Sequence, residues 1–241
     1  MQAILSVFKR ELCAYFRTPV GYVFLAVFLL TIMGICWFAM GFFEQGDASL
    51  TLFFNLLPWV YLFLIPASGM RLWSEEKRSG TWELLLTLPI TTTQAVVGKF
   101  LAGWAFVGLG LALTFLMPIS VAILGEPDWG PIITGYLGAF IMAGSYLAIC
   151  SLTSSLTKNQ VISFVLSVGI CFVLVFLGWN VFSDFMLGLG LPVNVVDAVS
   201  NFSFVTHFEP MYKGVIAVRD LLFFASVTIS ALLLNVVVLE R

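Results

Sequence analysis

Of the 241 residues, 61% are apolar and only 10% are charged, and the mean hydropathy is +1.06. A soluble domain carries roughly 25% charged residues, so most of this surface does not face water. The net charge of −2, with no basic stripe to neutralise phosphates, excludes nucleic acid as a partner.

The first 18 residues mix apolar Ile4, Leu5, Phe8, Leu12, Tyr15 and Phe16 at helical spacing with Lys9, Arg10 and Arg17. That pattern predicts a helix lying in a membrane interface, its basic side toward anionic headgroups. Thr18-Pro19 supplies a break. The apolar run that follows, 20–43, exceeds the 7–15 residues of a signal-peptide core and lacks a cleavage site. It is therefore expected to be the first span of an uncleaved polytopic protein.

About 20 apolar residues are needed to cross a bilayer, and five more segments qualify: 52–70, 97–124, 131–156, 160–182 and 217–239. With six spans, one side receives Lys9, Arg10, Arg17, Arg71, Lys77, Arg78, Lys99, Lys158 and Arg241. Lys99 is counted at the mouth of the third span. The other side holds only Lys213 and Arg219, with acidic Glu44, Asp47, Glu126, Asp128, Asp184, Asp197 and Glu209. This asymmetry places both termini in the cytoplasm.

Between the second and third spans, 71–96 forms a charged, helix-prone island. A helix over 74–89 is expected, with Ser74 as N-cap and Lys77 where a capping box would have Glu. Glu75 and Glu76 suit its first turn. Trp82, Leu85 and Leu86 offer an apolar patch, Gly80 interrupts the helix, and Pro89 ends it. Such a helix either docks in a groove on a soluble partner or packs against the membrane surface, and the residues alone leave both open.

Segment 183–216 is too interrupted for a span, with Gly188, Gly190 and Pro192, yet it is rich in Phe and Val. The residues suit either an ordinary outer loop of amphipathic character or short helices that dip into the bilayer. His207 reads as a loop or interface residue, and Arg219-Asp220 as a local pair. Gly34, Gly41, Gly103, Gly108 and Gly110 permit close helix approach.

The motifs of nucleotide and metal chemistry are missing. No G-x-x-x-x-G-K-[ST] or H-E-x-x-H occurs. Gly144-Ser145 lacks the G-x-S-x-G context of a serine nucleophile, and His207 is the single histidine. Cys13, Cys36, Cys150 and Cys171 are scattered without a C-x-x-C pair, so neither a disulfide framework nor a zinc site is expected. The 20–43 and 161–182 stretches carry no ionisable acid or base, which disfavours an ion-coupled carrier. No catalytic, cofactor or metal residue is assigned.

The string Glu75-Glu76-Lys77-Arg78-Ser79-Gly80-Thr81-Trp82-Glu83-Leu84-Leu85-Leu86-Thr87-Leu88-Pro89-Ile90, followed by Gly98-Lys99, resembles the signature E-x-x-x-G-T-x-E-x-L-L-x-x-P…G-K of type-2 ABC exporter permeases. Phe204 to Glu209, Lys213-Gly214-Val215-Ile216 and Arg219-Asp220 resemble a pattern of the gliding-motility and copper-enzyme-maturation (nitrous-oxide reductase assembly) branch. The resemblance implies an all-α polytopic membrane protein: a single permease domain over 1–241 in a bacterial inner membrane. It implies six transmembrane helices, an N-terminal interfacial helix (1–18), a cytoplasmic coupling-helix loop (71–96) and short re-entrant helices (183–216). Glu75, Glu76, Gly80, Thr81, Trp82, Glu83, Leu84 and Leu85 would then engage an ATPase dimer that holds ATP and Mg. A second permease copy or paralogue, membrane lipid and a periplasmic accessory protein complete the implied partners. Export of a substrate is the expected function. The alternative is a complex that transmits force to a periplasmic partner without transport.

Overall fold

In the computed structural model, residues 2–39, 49–81 and 90–240 are described, and among them every regular element is helical. Helix α1 (Gln2–Arg17) presents alternating apolar and basic faces. Part of its apolar face packs on protein rather than lipid. Tyr15 stacks on Phe106 with ring centroids 4.4 Å apart, and Val7 sits against Gly98, where a Cβ would come within 2.8 Å of it.

Pro19 opens α2 (Pro19–Gly34), as a residue with no N–H to satisfy should. A π-helical turn, Ile35–Ala39, continues it. The expected span over 20–43 is thus helical as far as residue 39, and 40–43 lie outside the described residues. The corner between α1 and α2 is close: a Cβ on Gly21 would lie 2.1 Å from the Tyr15 carbonyl oxygen. Gly21→Ala is expected to force the two helices apart and to lower the thermal midpoint of the detergent-solubilised protein. An unchanged midpoint would show that α1 is not held here.

Helix α3 (Thr51–Gly69) contains Pro58 and Pro66 and runs through Met70 into α4 (Arg71–Ser79). Helix α5 (Thr92–Ala112) starts earlier than the expected 97 because Thr91 and Gln94 form a capping box, two orphan helix donors being met reciprocally. A 3₁₀ turn (Leu113–Phe115) links it to α6 (Leu116–Leu124). Asp128 caps α7 (Trp129–Leu156), and Asn159 caps α8 (Gln160–Phe176). Three short helices follow: α9 (Asn180–Gly188), α10 (Val193–Ser200) and α11 (Phe204–Tyr212). Helix α12 (Val218–Glu240) closes the described chain.

Five helices among the described residues are long and apolar enough to cross a membrane; the bent pair α8 and α9 makes a sixth if taken as one span. The expected 160–182 span is therefore a shorter helix followed by a 69° bend. The bend falls at Gly178, where a Cβ would lie 2.3 Å from Ser203 Oγ. No side chain fits between this turn and the start of α11.

Helix α7 is the central post. In its most apolar window 67% of residues are buried, against 33% in α2 and 17% in α12, and it touches α3, α4, α5, α8, α11 and α12. Ser145 Oγ donates to the Phe224 carbonyl at 3.1 Å and meets Thr228 Oγ1 at 3.0 Å, tying α7 to α12. Tyr146 donates to the Pro58 carbonyl at 2.9 Å, tying α7 to α3.

The short helices and the start of α12 correct one expectation. Arg219 and Asp220 do not pair with each other. Arg219 donates to Asn201 Oδ1 at 2.7 Å, while buried Asp220 meets His207 Nδ1 at 2.6 Å. His207 Nε2 contacts the Asn201 carbonyl at 2.8 Å, and the ring stacks on Phe223 at 4.0 Å. With an oxygen facing each ring nitrogen, a proton sits in each contact. His207 is buried, and it joins α11 to α12.

Candidate functional site

The charged island is built differently from its expected form. Ser74 is not an N-cap: it is buried in the first turn of α4, and its hydroxyl donates back to the Met70 carbonyl. The helix starts at Arg71, one turn residue after the end of α3; that residue, Met70, is in the right-handed helical region and offers no side-chain cap. A helix start leaves its first four N–H groups without intrahelical partners. Here the cap comes from another helix. Ser154 Oγ of α7 accepts the Trp73 and Ser74 N–H groups, each at 3.0 Å, and donates to the Met70 carbonyl at 2.9 Å.

One turn along α7, Ser151 extends the same contact. Its hydroxyl accepts the Trp73 indole N–H at 3.0 Å and the Asn235 amide of α12 at 2.6 Å. Ser151 and Ser154 are three apart and so share a face. Trp73 is fully buried between them. Asn235 Oδ1 has no hydrogen-bond partner among the described residues.

On the other side of α4, Lys99 reaches in from α5. It is 2% exposed, two turns inside its helix rather than at the mouth where its sequence position suggested. Its ammonium donates to the Leu72 carbonyl at 2.9 Å and to Glu76 Oε1 at 2.7 Å. It lies 3.5 Å from Glu11 Oε1 of α1 and 4.8 Å from the centre of a Trp73 ring, a cation–π distance. Three helices therefore meet at one cation. Glu76 Oε2 is buried without a partner among the described residues. Lys77 points the other way and donates to the Ser155 carbonyl; burial, and then the neighbouring charge of Lys158, hold its pKa below the ordinary lysine value.

The expected site residues divide into three groups. Glu76 is turned inward to Lys99. Glu75 is exposed on the flank of α4 and Gly80 and Thr81 at its free end, with Glu75 paired to Arg71 at 3.1 Å and Thr81 Oγ1 2.9 Å from Ser79 Oγ. Trp82, Glu83, Leu84 and Leu85 lie outside the described residues, as does the rest of the expected helix to 89. Gly80 does not bend a helix; it ends one, at φ 72°, the left-handed C-terminal conformation that glycine adopts without strain.

Residues 9–178 match the family described as ABC-2 family transporter protein, well over half of the 241 residues. The chain belongs to this family. No curated protein matches it. As an ABC-2 family protein with five or six apolar helices of spanning length, it is a multi-pass membrane protein and a permease subunit of an ABC transporter, and the family implies an ABC ATPase as partner. The matched region covers α2 to α8 and the second half of α1. Glu11, Trp73, Lys99, Ser151 and Ser154 all fall within it, while Asn235 and the His207–Asp220 pair fall beyond it.

Sequence reasoning missed Trp73 and the two serines. The signal was present in the Ser151-Leu152-Thr153-Ser154-Ser155 run, since polar residues repeated inside an apolar span need partners. What they bind lies about eighty residues away in sequence.

Proposed function

We propose that this ABC-2 family protein is the membrane subunit of an ATP-driven exporter of a bacterial inner membrane. In this reading both termini and segment 71–96 lie in the cytoplasm, and a coupling helix over 74–89 engages the ATPase. The observation that carries the reading is the construction of α4. It prolongs a spanning helix, is pinned to α7 by Ser154 and to α5 by Lys99, and leaves Glu75 exposed on its flank and Arg78 to Thr81 exposed at its tip. A push on that tip is delivered into the packed span region rather than lost in a loop.

Two permease copies, or one and a paralogue, would sit on an ATPase dimer that binds ATP and Mg; the chain itself would catalyse nothing. The 204–220 pattern supports placing the protein in the gliding-motility and copper-enzyme-maturation branch, with α9 to α11 as the re-entrant outer helices and α1 as the interfacial one. A second reading, force transmission to a periplasmic partner without transport, has support in the Tyr212–Asn55 hydrogen bond of 2.6 Å. That bond links the outer helices to the same α3 that carries α4.

Purification in mild detergent tests the coupling. Wild-type protein is expected to bring down a P-loop ATPase, and Glu83→Lys to lose it, because the reversed charge meets a surface arranged for a carboxylate. Wild-type protein that arrives without any ATPase, under conditions that keep other such complexes whole, would overturn the reading. Uptake of cargo into inverted vesicles separates export from force transmission.

A further inference from the structure

A cavity of about 520 Å³ lies between α1, α2, α3, α4 and α5, within the roughly 300–1,000 Å³ of small-molecule sites. Its two ends differ in chemistry. One is apolar, walled by Val20, Val23, Phe24 and Val27 of α2 and by Leu64 of α3. Val20, Val23 and Val27 are also exposed on the outside of the bundle, at 47%, 58% and 41%, so this wall opens sideways to the bilayer. The other end carries Glu11, Arg71, Glu75, Glu76 and Lys99.

The charges at that end, three carboxylates and two cations, are mostly spoken for. Lys99 is buried on Glu76, Glu11 and the Leu72 carbonyl, and Glu11 also pairs with Arg10 at 2.7 Å. The pair left accessible is Arg71 with Glu75, whose side chains are 34% and 52% exposed. It offers one cation and one anion side by side at the polar end of an apolar slot. A headgroup with net negative charge would meet more carboxylates than cations at this end, three against two. A headgroup carrying a phosphate and an ammonium satisfies both members of the pair.

We propose that this cavity binds one zwitterionic aminophospholipid from the leaflet that faces α1, its acyl chain along α2, its phosphate on Arg71 and its ammonium on Glu75. The lipid would fill the space between α1 and the start of α4. The proposal rests on the chain being a membrane protein and not on the coupling to an ATPase, and its test reads lipid only.

The full-length protein is purified in detergent, its retained lipid is extracted and identified, and delipidated protein is then titrated with micelles containing phosphatidylethanolamine or phosphatidylglycerol. About one phosphatidylethanolamine per chain is expected to survive purification, and this lipid is expected to raise the melting midpoint more than phosphatidylglycerol does. Val23→Trp, which fills the slot, should lose the retained lipid while eluting as wild type does on size exclusion. Arg71→Gln with Glu75→Gln, both on the surface, should keep the fold and lose about tenfold in preference for the ethanolamine lipid, the worth of a charge-assisted contact. Equal shifts with the two lipids, unchanged retention in Val23→Trp, or unchanged preference in the double variant would each overturn the proposal. If Val23→Trp does not fold, the double variant decides.

Discussion

Lys99→Met is expected to lower stability by about 3–5 kcal/mol, the cost of leaving a buried charge without its partner. The lysine ammonium is the sole hydrogen-bond partner of Glu76 Oε1 among the described contacts, and Glu76 Oε2 already has none among the described residues. Removing the cation strands the whole carboxylate between α1, α4 and α5. At roughly 2–4 °C per kcal/mol for a chain of this size, the thermal midpoint in detergent should fall by about 10 °C.

The double variant Lys99→Met with Glu76→Met distinguishes this cause from lost packing. An apolar pair in place of a buried ion pair is often neutral or better, so the second substitution should restore most of the midpoint. If the double variant is as unstable as the single, the Leu72 carbonyl contact or the Trp73 ring carries the effect instead. Glu11 keeps Arg10 in either case.

Trp73→Ala should be comparably damaging, about 3–5 kcal/mol, as for other large aromatic side chains removed from a packed core. Trp73→Phe separates the two things the indole does. It keeps most of the ring in place between Ser151 and Lys99 and loses only the N–H bond to Ser151, worth about 0.6–1 kcal/mol inside a membrane bundle. A large loss in the alanine variant with a small one in the phenylalanine variant means that shape holds α4 to α7. Similar losses in both would assign the joint to the hydrogen bond. Under the proposed function, ATPase stimulation by the permease should track the same order: wild type, then Trp73→Phe, then Trp73→Ala.

The contrast between what the sequence disclosed and what it hid has a physical basis. Span positions follow from apolar runs, because crossing hydrocarbon requires length and hydropathy that a window reads directly. The start of α5 was equally legible from Thr91 and Gln94 at capping-box spacing, yet the hydropathy of 97–124 drew attention past it. Ser74 next to Glu75 and Glu76 has the composition of a helix start, and it failed as one because α3 does not stop before it. Lys99 looked like a residue at a water boundary, since a charge beside an apolar run is normally there. Its burial depends on Glu76 and Glu11, carboxylates from two other helices. The Arg219-Asp220 reading failed for the same reason: adjacent opposite charges suggest each other, whereas Asn201 reaches them from a turn and His207 from α11, which only the fold brings near. For the residues expected to couple to an ATPase, the sequence pattern reaches Leu85, and the described structure carries that segment as far as Thr81.

The continuity of α3 and α4 has one more consequence. The two form a rod over Thr51–Ser79, 29 residues and so about 44 Å long at 1.5 Å per residue. Near one end Asn55 is tied to Tyr212, and near the other Trp73 is tied to Ser151 and Ser154. Between them stand Pro58 and Pro66, each a place where a helix yields in bending while resisting compression. A linkage of this kind converts a shove along its axis into a change of angle at its joints. Under the proposed function, a push on the tip at Ser79 is expected to reach Tyr212 as a tilt, about seven helical turns away.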